Sequence, residues 1–354
     1  MDAMTTPQPD PERIAQWTLQ LCQVDSTTGH EARMIPLLTG MFRNLGARIL
    51  WQSVEGGRCN LLATWGNPKV LFTTHLDTVP PYLPPHRDGD RLWGRGACDA
   101  KGILATMIET LRLLLAEGRR DLAFLGVVGE ETDSLGARIA LDLKKNLPNL
   151  QGVINGEPTG NILATGQRGS AHLYLRCQGK AAHSGTPEEG VNAAFPLFDW
   201  IDNLRRLPER ADPVLGPEVW NLGTLQAGRA INVVPDEAEA RLFARTVVGS
   251  TFVQDVQRLR PEVGEVDVLF ERGPEVFPKV EGFPMGPVPF GSDAHILRDL
   301  VRDRFIVMTG PGSIRVAHTE GEFLDLAEAV AGAQQYLDLA RHILDRTQGP
   351  DYAI

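Results

Sequence analysis

The chain has 354 residues, 42% of them hydrophobic, which is enough for one large or two ordinary domains with a packed core. Its formal charge of -10, with no Lys/Arg run longer than a pair, lacks the basic footprint that phosphates require, so nucleic acid is excluded as a partner. Four scattered cysteines, Cys22, Cys59, Cys98 and Cys177, form no C-x-x-C pair and leave any metal to His and carboxylate ligands.

The opening MDAMTTPQPDPER is polar and proline-rich, without an apolar stretch of signal-peptide type. The longest apolar segment, ILATMIETLRLLLA, carries Glu109 and Arg112 and is too short to span a bilayer. A cytoplasmic protein with no membrane partner is expected. Helical spacing appears at residues 12–22 and 31–45, where STTGHEAR offers cap candidates and Glu31 stands near the start of the second helix. The period then changes. KVLFTTHLDTV (69–79), DLAFLGVVGEE (121–131), QGVINGEPT (151–159) and RFIVMTGPG (304–312) are short apolar runs ending in Gly, Pro or acidic residues, as buried strands do. An amphipathic helix from about Lys101 to Glu117, closed by Gly118, separates the first two. Strand alternating with helix in this way predicts an α/β domain, a sheet covered by helices.

From about Gly166 the pattern shifts. SAHLYLRCQG alternates, NAAFPLFDWIDNL reads as a helix, and VWNLGTLQAG and EAEARLFART read as strands; a short helix near 251–259 and the strand EVDVLFE complete a β-α-β-β-α-β order. That order predicts a ferredoxin-like α+β unit at 166–275, inserted into a domain formed by 1–165 and 276–354. The Pro/Gly-rich RGPEVFPKVEGFPMGPVPFG reads as the return linker, followed by a last helix at about Leu324 to Arg346.

Open α/β sheets bind ligands outside the carboxyl ends of their strands, so the polar residues there belong together. His75 and Asp77 close the first strand, Asp99 follows in WGRGACDAKG, Glu130 and Glu131 close the next, Glu157 closes the third, and His318 follows the last in GPGSIRVAHTEGEF. Taken singly, each is a common turn or loop residue. Taken jointly, they offer one imidazole and one carboxylate per ion with a further carboxylate to share, which suits two divalent zinc-like ions that each keep a position open.

With HLDTVP, GRGACDAKG, GEET, GEPT, KAAHSGTPEEGVNA and INVVP in order over nearly the whole length, the sequence resembles the two-zinc metallopeptidases and deacylases that include acetylornithine deacetylase, succinyl-diaminopimelate desuccinylase, aminoacylase and glutamate carboxypeptidase. The resemblance implies a zinc-peptidase catalytic domain with an inserted lid and dimerisation domain, hence a homodimer. It implies that His75 and Glu157 hold one zinc, that Glu131 and His318 hold the other, and that Asp99 bridges them, with a cis peptide from Asp99 to Ala100. Glu130 would be the general base for a water activated between the metals, and Asp77 would orient His75 through its other ring nitrogen. His183 matches the position that stabilises the oxyanion across the dimer, and Arg168, Asn232 and Arg245 match positions that bind a substrate carboxylate. His/carboxylate sites also accept cobalt and manganese.

The stretch GPGSIRVAHTEGEF looks more like acetylornithine deacetylases than desuccinylases, which makes a small N-acyl amino acid the expected substrate. Other acyl-lysine or succinylated substrates, a dipeptidase or carboxypeptidase activity, and a metal-binding relative without catalysis remain alternatives. A dehydrogenase is disfavoured because GRGACD has aspartate where a third glycine belongs, and a serine hydrolase because G-x-S-x-G is absent. His30 and His342 are read as helical, His86 as a loop residue and His172 as a strand residue, all outside the site, and His295 is left out of the catalytic set.

Overall fold

A computed structural model describes residues 8–303 and 305–345. The opening residues 1–7, Arg304 and the expected last helical position Arg346 lie outside the described residues. The chain divides into two compact units, one built from residues 1–165, 277–286 and 292–354, the other from 166–276 and 287–291.

The first unit is organised on a six-stranded mixed sheet in the order Arg48–Ser53, Cys59–Gly66, Asp121–Val127, Val70–His75, Gly152–Gly156, Ile306–Thr309. The first three strands pair antiparallel and the last four run parallel. Val70–His75 and Gly152–Gly156 are buried at every position, both faces being covered, which explains why they open on apolar runs without alternation and carry polar residues only towards their carboxyl ends. The helices Pro11–Cys22, Lys101–Ala116 and Leu326–Asp345 pack against one another. Phe72 meets Tyr336 edge-on at 6.1 Å and Phe42 stacks on Phe124 at 4.8 Å, so truncating any one of the three phenylalanines to alanine costs about 3–5 kcal/mol.

In the second unit four antiparallel strands run in the order Val219–Ala227, Glu237–Arg245, Ser170–Gln178, Gly264–Arg272. The alternation of the Ser170–Gln178 strand puts Ala171, Leu173, Leu175 and Cys177 on one face, against Leu197, Trp200, Leu204 and Phe252 of the helices Ala194–Arg205 and Phe252–Arg258. In chain order these elements are β-α-β-β-α-β.

Several local expectations need correction. The helix Lys101–Ala116 is not amphipathic: every residue from Lys101 to Leu114 except Arg112 is buried. Its Glu109 is tolerated there because Arg112 bonds both its oxygens, at 2.8 and 2.7 Å, and the Asp10 amide donates at 3.1 Å. The second helical stretch is a 3-10 turn, Glu31–Met34, followed by the helix Ile35–Asn44, and His30 stands before it rather than within it. Glu31 does not cap a helix through a Ser/Thr partner; it is buried and accepts from the Gly29 amide at 2.8 Å. His86 begins a short strand, His86–Asp88, and the supposed linker contains the strands Glu275–Val276 and Met285–Val288.

Candidate metal centre

His75 is the last residue of its strand and Glu157 follows directly on Gly152–Gly156, its parallel neighbour. The Thr74 hydroxyl donates to the Gly156 carbonyl at 2.9 Å and ties the two strand ends together. Asp99 ends the loop that leads into the helix Lys101–Ala116, and the Asp99–Ala100 peptide is cis. At Gly102 a Cβ would lie 2.1 Å from the Ala97 carbonyl oxygen, so only glycine lets this loop close on the helix. Glu130 and Glu131 follow the strand Asp121–Val127 on a turn begun by Gly129, whose φ of +77° suits glycine and whose carbonyl accepts from Ser134 at 2.7 Å. His318, with φ of +64°, lies in the segment after Ile306–Thr309.

These positions bring two sets of donors together. His75, Asp99 and Glu157 form one and Asp99, Glu131 and His318 the other, each with its donor atoms within 4.8 Å of one another. His75 Nε2 is 2.9 Å from Asp99 Oδ1, while His318 Nε2 is 3.3 Å from Asp99 Oδ2 and 3.0 Å from Glu131 Oε1. Donors on one tetrahedral ion with bonds of about 2.1 Å stand about 3.4 Å apart, so the donor pairs need to open by only a few tenths of an ångström to hold a metal. The two sets share one carboxylate, whose two oxygens face different imidazoles.

The electrostatics fit a cation as well. Burial, followed by the neighbouring charge of Glu130, pushes the Glu157 carboxyl well above the usual range. Burial likewise raises Glu131 to about 7, against the pull of its His318 hydrogen bond. Hydrogen bonds to Asp99 and Glu131 lift His318 to about 10. For His75, burial works against the charged ring, but hydrogen bonds to Asp77 and Asp99 outweigh it and carry the ring well above its ordinary value. Carboxylates crowded and desolvated in this way hold protons unless cations compensate them, and two divalent ions would do so.

Asp77 is fully buried and does more than face a histidine. Its Oδ1 accepts the Glu130 amide and its Oδ2 the Glu131 amide, both at 3.2 Å, and Thr28 Oγ1 donates to Oδ2 at 2.9 Å. His75 Nδ1 hydrogen-bonds the main-chain oxygen of Asp77 at 2.9 Å, while the carboxylate Oδ1 stands at 3.6 Å. Asp77 therefore presents His75 through its backbone and the Glu130–Glu131 turn through its side chain.

The model of peptidase family M20/M25/M40 matches residues 71–342. The chain belongs to this family. As a member of a peptidase family, the protein is a hydrolase. A peptidase M20 domain-containing protein of Schizosaccharomyces pombe is 32% identical over 89% of this chain and 81% of its own length. A probable carboxypeptidase of Aspergillus clavatus is 31% identical over 92% and 88%. Among solved structures, a tripeptidase of Staphylococcus aureus superposes with a TM-score of 0.81 at 23% identity, covering 96% of this chain and all (100%) of that one. A Bacillus subtilis protein described as a dinuclear metal-binding M20 peptidase gives 0.68 at 16% identity, over 95% of this chain and 98% of that one. Among the described residues of this M20 chain no helix is long and apolar enough to cross a membrane.

In the second unit, His183 is exposed and its Nδ1 accepts from the Gly185 amide at 3.0 Å, while the Ser184 amide donates to the Asn232 carbonyl, so these two loops run side by side. Arg168 donates to the Leu215 carbonyl at 2.9 Å and Arg245 to Ser170 Oγ at 2.8 Å. Burial lowers the pKa of Arg245, and repulsion from Arg272 and Arg168 adds to it, so three guanidinium groups lie within electrostatic reach. The sequence reading missed Arg272, Ser170 and Thr28. It also missed Asn155, whose Nδ2 donates to Glu157 Oε1 at 3.4 Å. Asn155 sits on a strand already identified, two residues before Glu157, and that spacing was its only signal.

Proposed function

We propose that the protein is a two-metal amide hydrolase acting on small substrates whose scissile amide precedes a free carboxylate, with N-acyl amino acids of the acetylornithine type as its substrate class. The observation that carries the reading is the pair of donor sets joined through Asp99, with Glu130 beside them. His75 and Glu157 would hold one ion, Glu131 and His318 the other, and Asp99 both; zinc suits these ligands, and cobalt or manganese can replace it. Two such ions supply polarisation of the scissile carbonyl and acidification of the attacking water.

Glu130 takes the proton of that water as it attacks and returns it to the leaving nitrogen, which departs as a neutral amine. Asp77 holds the Glu130 and Glu131 amides, so base and ligand keep a fixed relation. Arg168, Asn232 and Arg245 bind the substrate carboxylate; guanidinium forks match its two oxygens. His183, supplied by the partner in a homodimer formed through the inserted unit, hydrogen-bonds the developing oxyanion.

A second reading, hydrolysis of the last peptide bond of a short peptide, is favoured by the relatives named carboxypeptidase. Both readings share the metals, Glu130 and a carboxylate-bearing product and differ only in the acyl side. Comparing kcat/KM of the metal-loaded enzyme on acetylornithine, acetylcitrulline, N-acetyl-lysine, succinyl-diaminopimelate and a dipeptide series separates them. Preference for the acetylated amino acids supports the deacylase; preference for dipeptides supports the peptidase; no turnover of any of them rejects both.

A further inference from the structure

Glu322, four residues beyond His318, belongs to neither donor set, and both of its oxygens are engaged. It is 1% exposed, as is Arg95, which donates Nη1 to Glu322 Oε2 at 2.5 Å. The other oxygen, Oε1, accepts three main-chain amides from one loop: Gly96 at 2.9 Å, Cys98 at 3.1 Å and Asp99 at 3.1 Å. Successive amides converging on one carboxylate oxygen form an anion nest, here filled by the protein itself. Arg95 extends the connection the other way. Its Nη1 also donates to the Thr319 carbonyl at 3.2 Å, the residue directly after His318, and its Nε donates to the Pro81 carbonyl at 3.2 Å. One buried ion pair therefore grips the amide of Asp99 on one side and the backbone beside His318 on the other.

Stability alone does not account for such a pair. Desolvating two charges offsets most of their attraction, and well-packed apolar side chains of similar volume often serve a core as well or better. What an apolar pair cannot do is hold three amides of the 96–99 loop and the Thr319 carbonyl in one fixed frame. We propose that Arg95 and Glu322 are positioning residues that set the separation of Asp99 and His318, and thereby the affinity of the chain for divalent metal. The inference rests on the two-metal reading above and adds that the metal sites are tuned from a pair that touches no ion.

The test is titration of metal-free protein with Co2+ by calorimetry, together with the visible absorption of the bound Co2+, which reports ligand geometry. Glu322→Gln keeps an oxygen for the three amides but turns an NH2 group towards Arg95. A folded Glu322→Gln protein, with wild-type circular dichroism, is expected to bind Co2+ about 10–100-fold more weakly and with an altered visible spectrum. Arg95→Lys keeps the charge but cannot reach Glu322, Thr319 and Pro81 together, and a smaller, several-fold loss is expected. Wild-type affinity and spectrum in folded Glu322→Gln would overturn the proposal, because a merely structural pair would lower the melting temperature and leave metal binding per folded molecule untouched. If Glu322→Gln does not fold, wild-type affinity and spectrum in Arg95→Lys overturn it in the same way. Failure of the wild-type chain itself to take up Co2+ would instead remove the two-metal reading, and this inference with it.

Discussion

Replacing Asp77 with asparagine removes one charge and one acceptor from a carboxylate that is fully buried and receives the amides of Glu130 and Glu131 at 3.2 Å and the Thr28 hydroxyl at 2.9 Å. An asparagine has one oxygen for two amides, so one partly buried N–H loses its partner, and the other bond drops from a charge-assisted to a neutral one. An orphaned donor costs about 1–3 kcal/mol when fully buried and less where water reaches it, and the weakened bond costs about 1 more, so the metal-free variant should be about 1–3 kcal/mol less stable in urea unfolding. The pH dependence has a definite sign. Burial opposes ionisation of Asp77, but the charge of the neighbouring His75 ring and hydrogen bonds from Thr28 and the Glu131 amide outweigh it, so its folded pKa lies below its unfolded value. Its stabilisation is thus present above the unfolded pKa of about 3.9 and is lost as pH falls, so the gap between wild type and Asp77→Asn should close under acid conditions. Because Glu130 and Glu131 lose their common anchor, kcat should fall about 10–100-fold as well. A variant within about 0.5 kcal/mol of wild type, with kcat unchanged, would refute the role given to Asp77.

Glu130→Gln should lower kcat by about 10²–10⁴-fold while metal content measured by plasma mass spectrometry stays at the wild-type level; loss of metal with activity restored on readdition would give Glu130 another role. Metal-free protein should lose thermal stability as pH rises from about 5 to 9, because Glu131, raised to about 7, and His318, raised to about 10, both bind protons more tightly folded than unfolded. Added Zn2+ should reverse that slope, since metal competes with protons for the same atoms, and a melting temperature that climbs with pH in the metal-free protein would contradict the assignment. Mixing His183→Ala with Glu130→Gln subunits should restore part of the activity that neither variant has alone, whereas an inactive mixture would remove the trans role of His183.

Much of this architecture is legible in the sequence, because burial imposes patterns on it. The runs at 70–75 and 152–156 are buried at every position, open on apolar residues and turn polar only towards their carboxyl ends, at Thr73–His75 and Asn155, and the alternation at 170–178 follows from one face packing on helices. The strands Arg48–Ser53 and Cys59–Gly66 went unread. Arg48–Ser53 is an edge strand with no fully buried residue, so it carries little periodic signal. The reading of Lys101–Glu117 as amphipathic failed for the opposite reason, since Glu109 is a buried carboxylate held by the partly exposed Arg112 rather than part of a wet face. At the site, the strand-end rule gathers His75, Glu131 and Glu157 from positions far apart in the chain. Glu322 escapes it: in HTEGEF it looks like one more solvated acidic residue, and its partners at Gly96, Cys98 and Asp99 lie more than 220 positions away. Nothing local in the sequence marks it.

In the two-metal reading proposed above, Asp99, which belongs to both donor sets, serves two ions at once. Native mass spectrometry of the zinc-loaded chain tests it directly, by counting ions in wild type, Glu157→Gln, His318→Gln and Asp99→Asn. Two ions in wild type, one after either single-site change and none or substoichiometric metal in Asp99→Asn is the expected series. An Asp99→Asn protein that still carries two ions would contradict it.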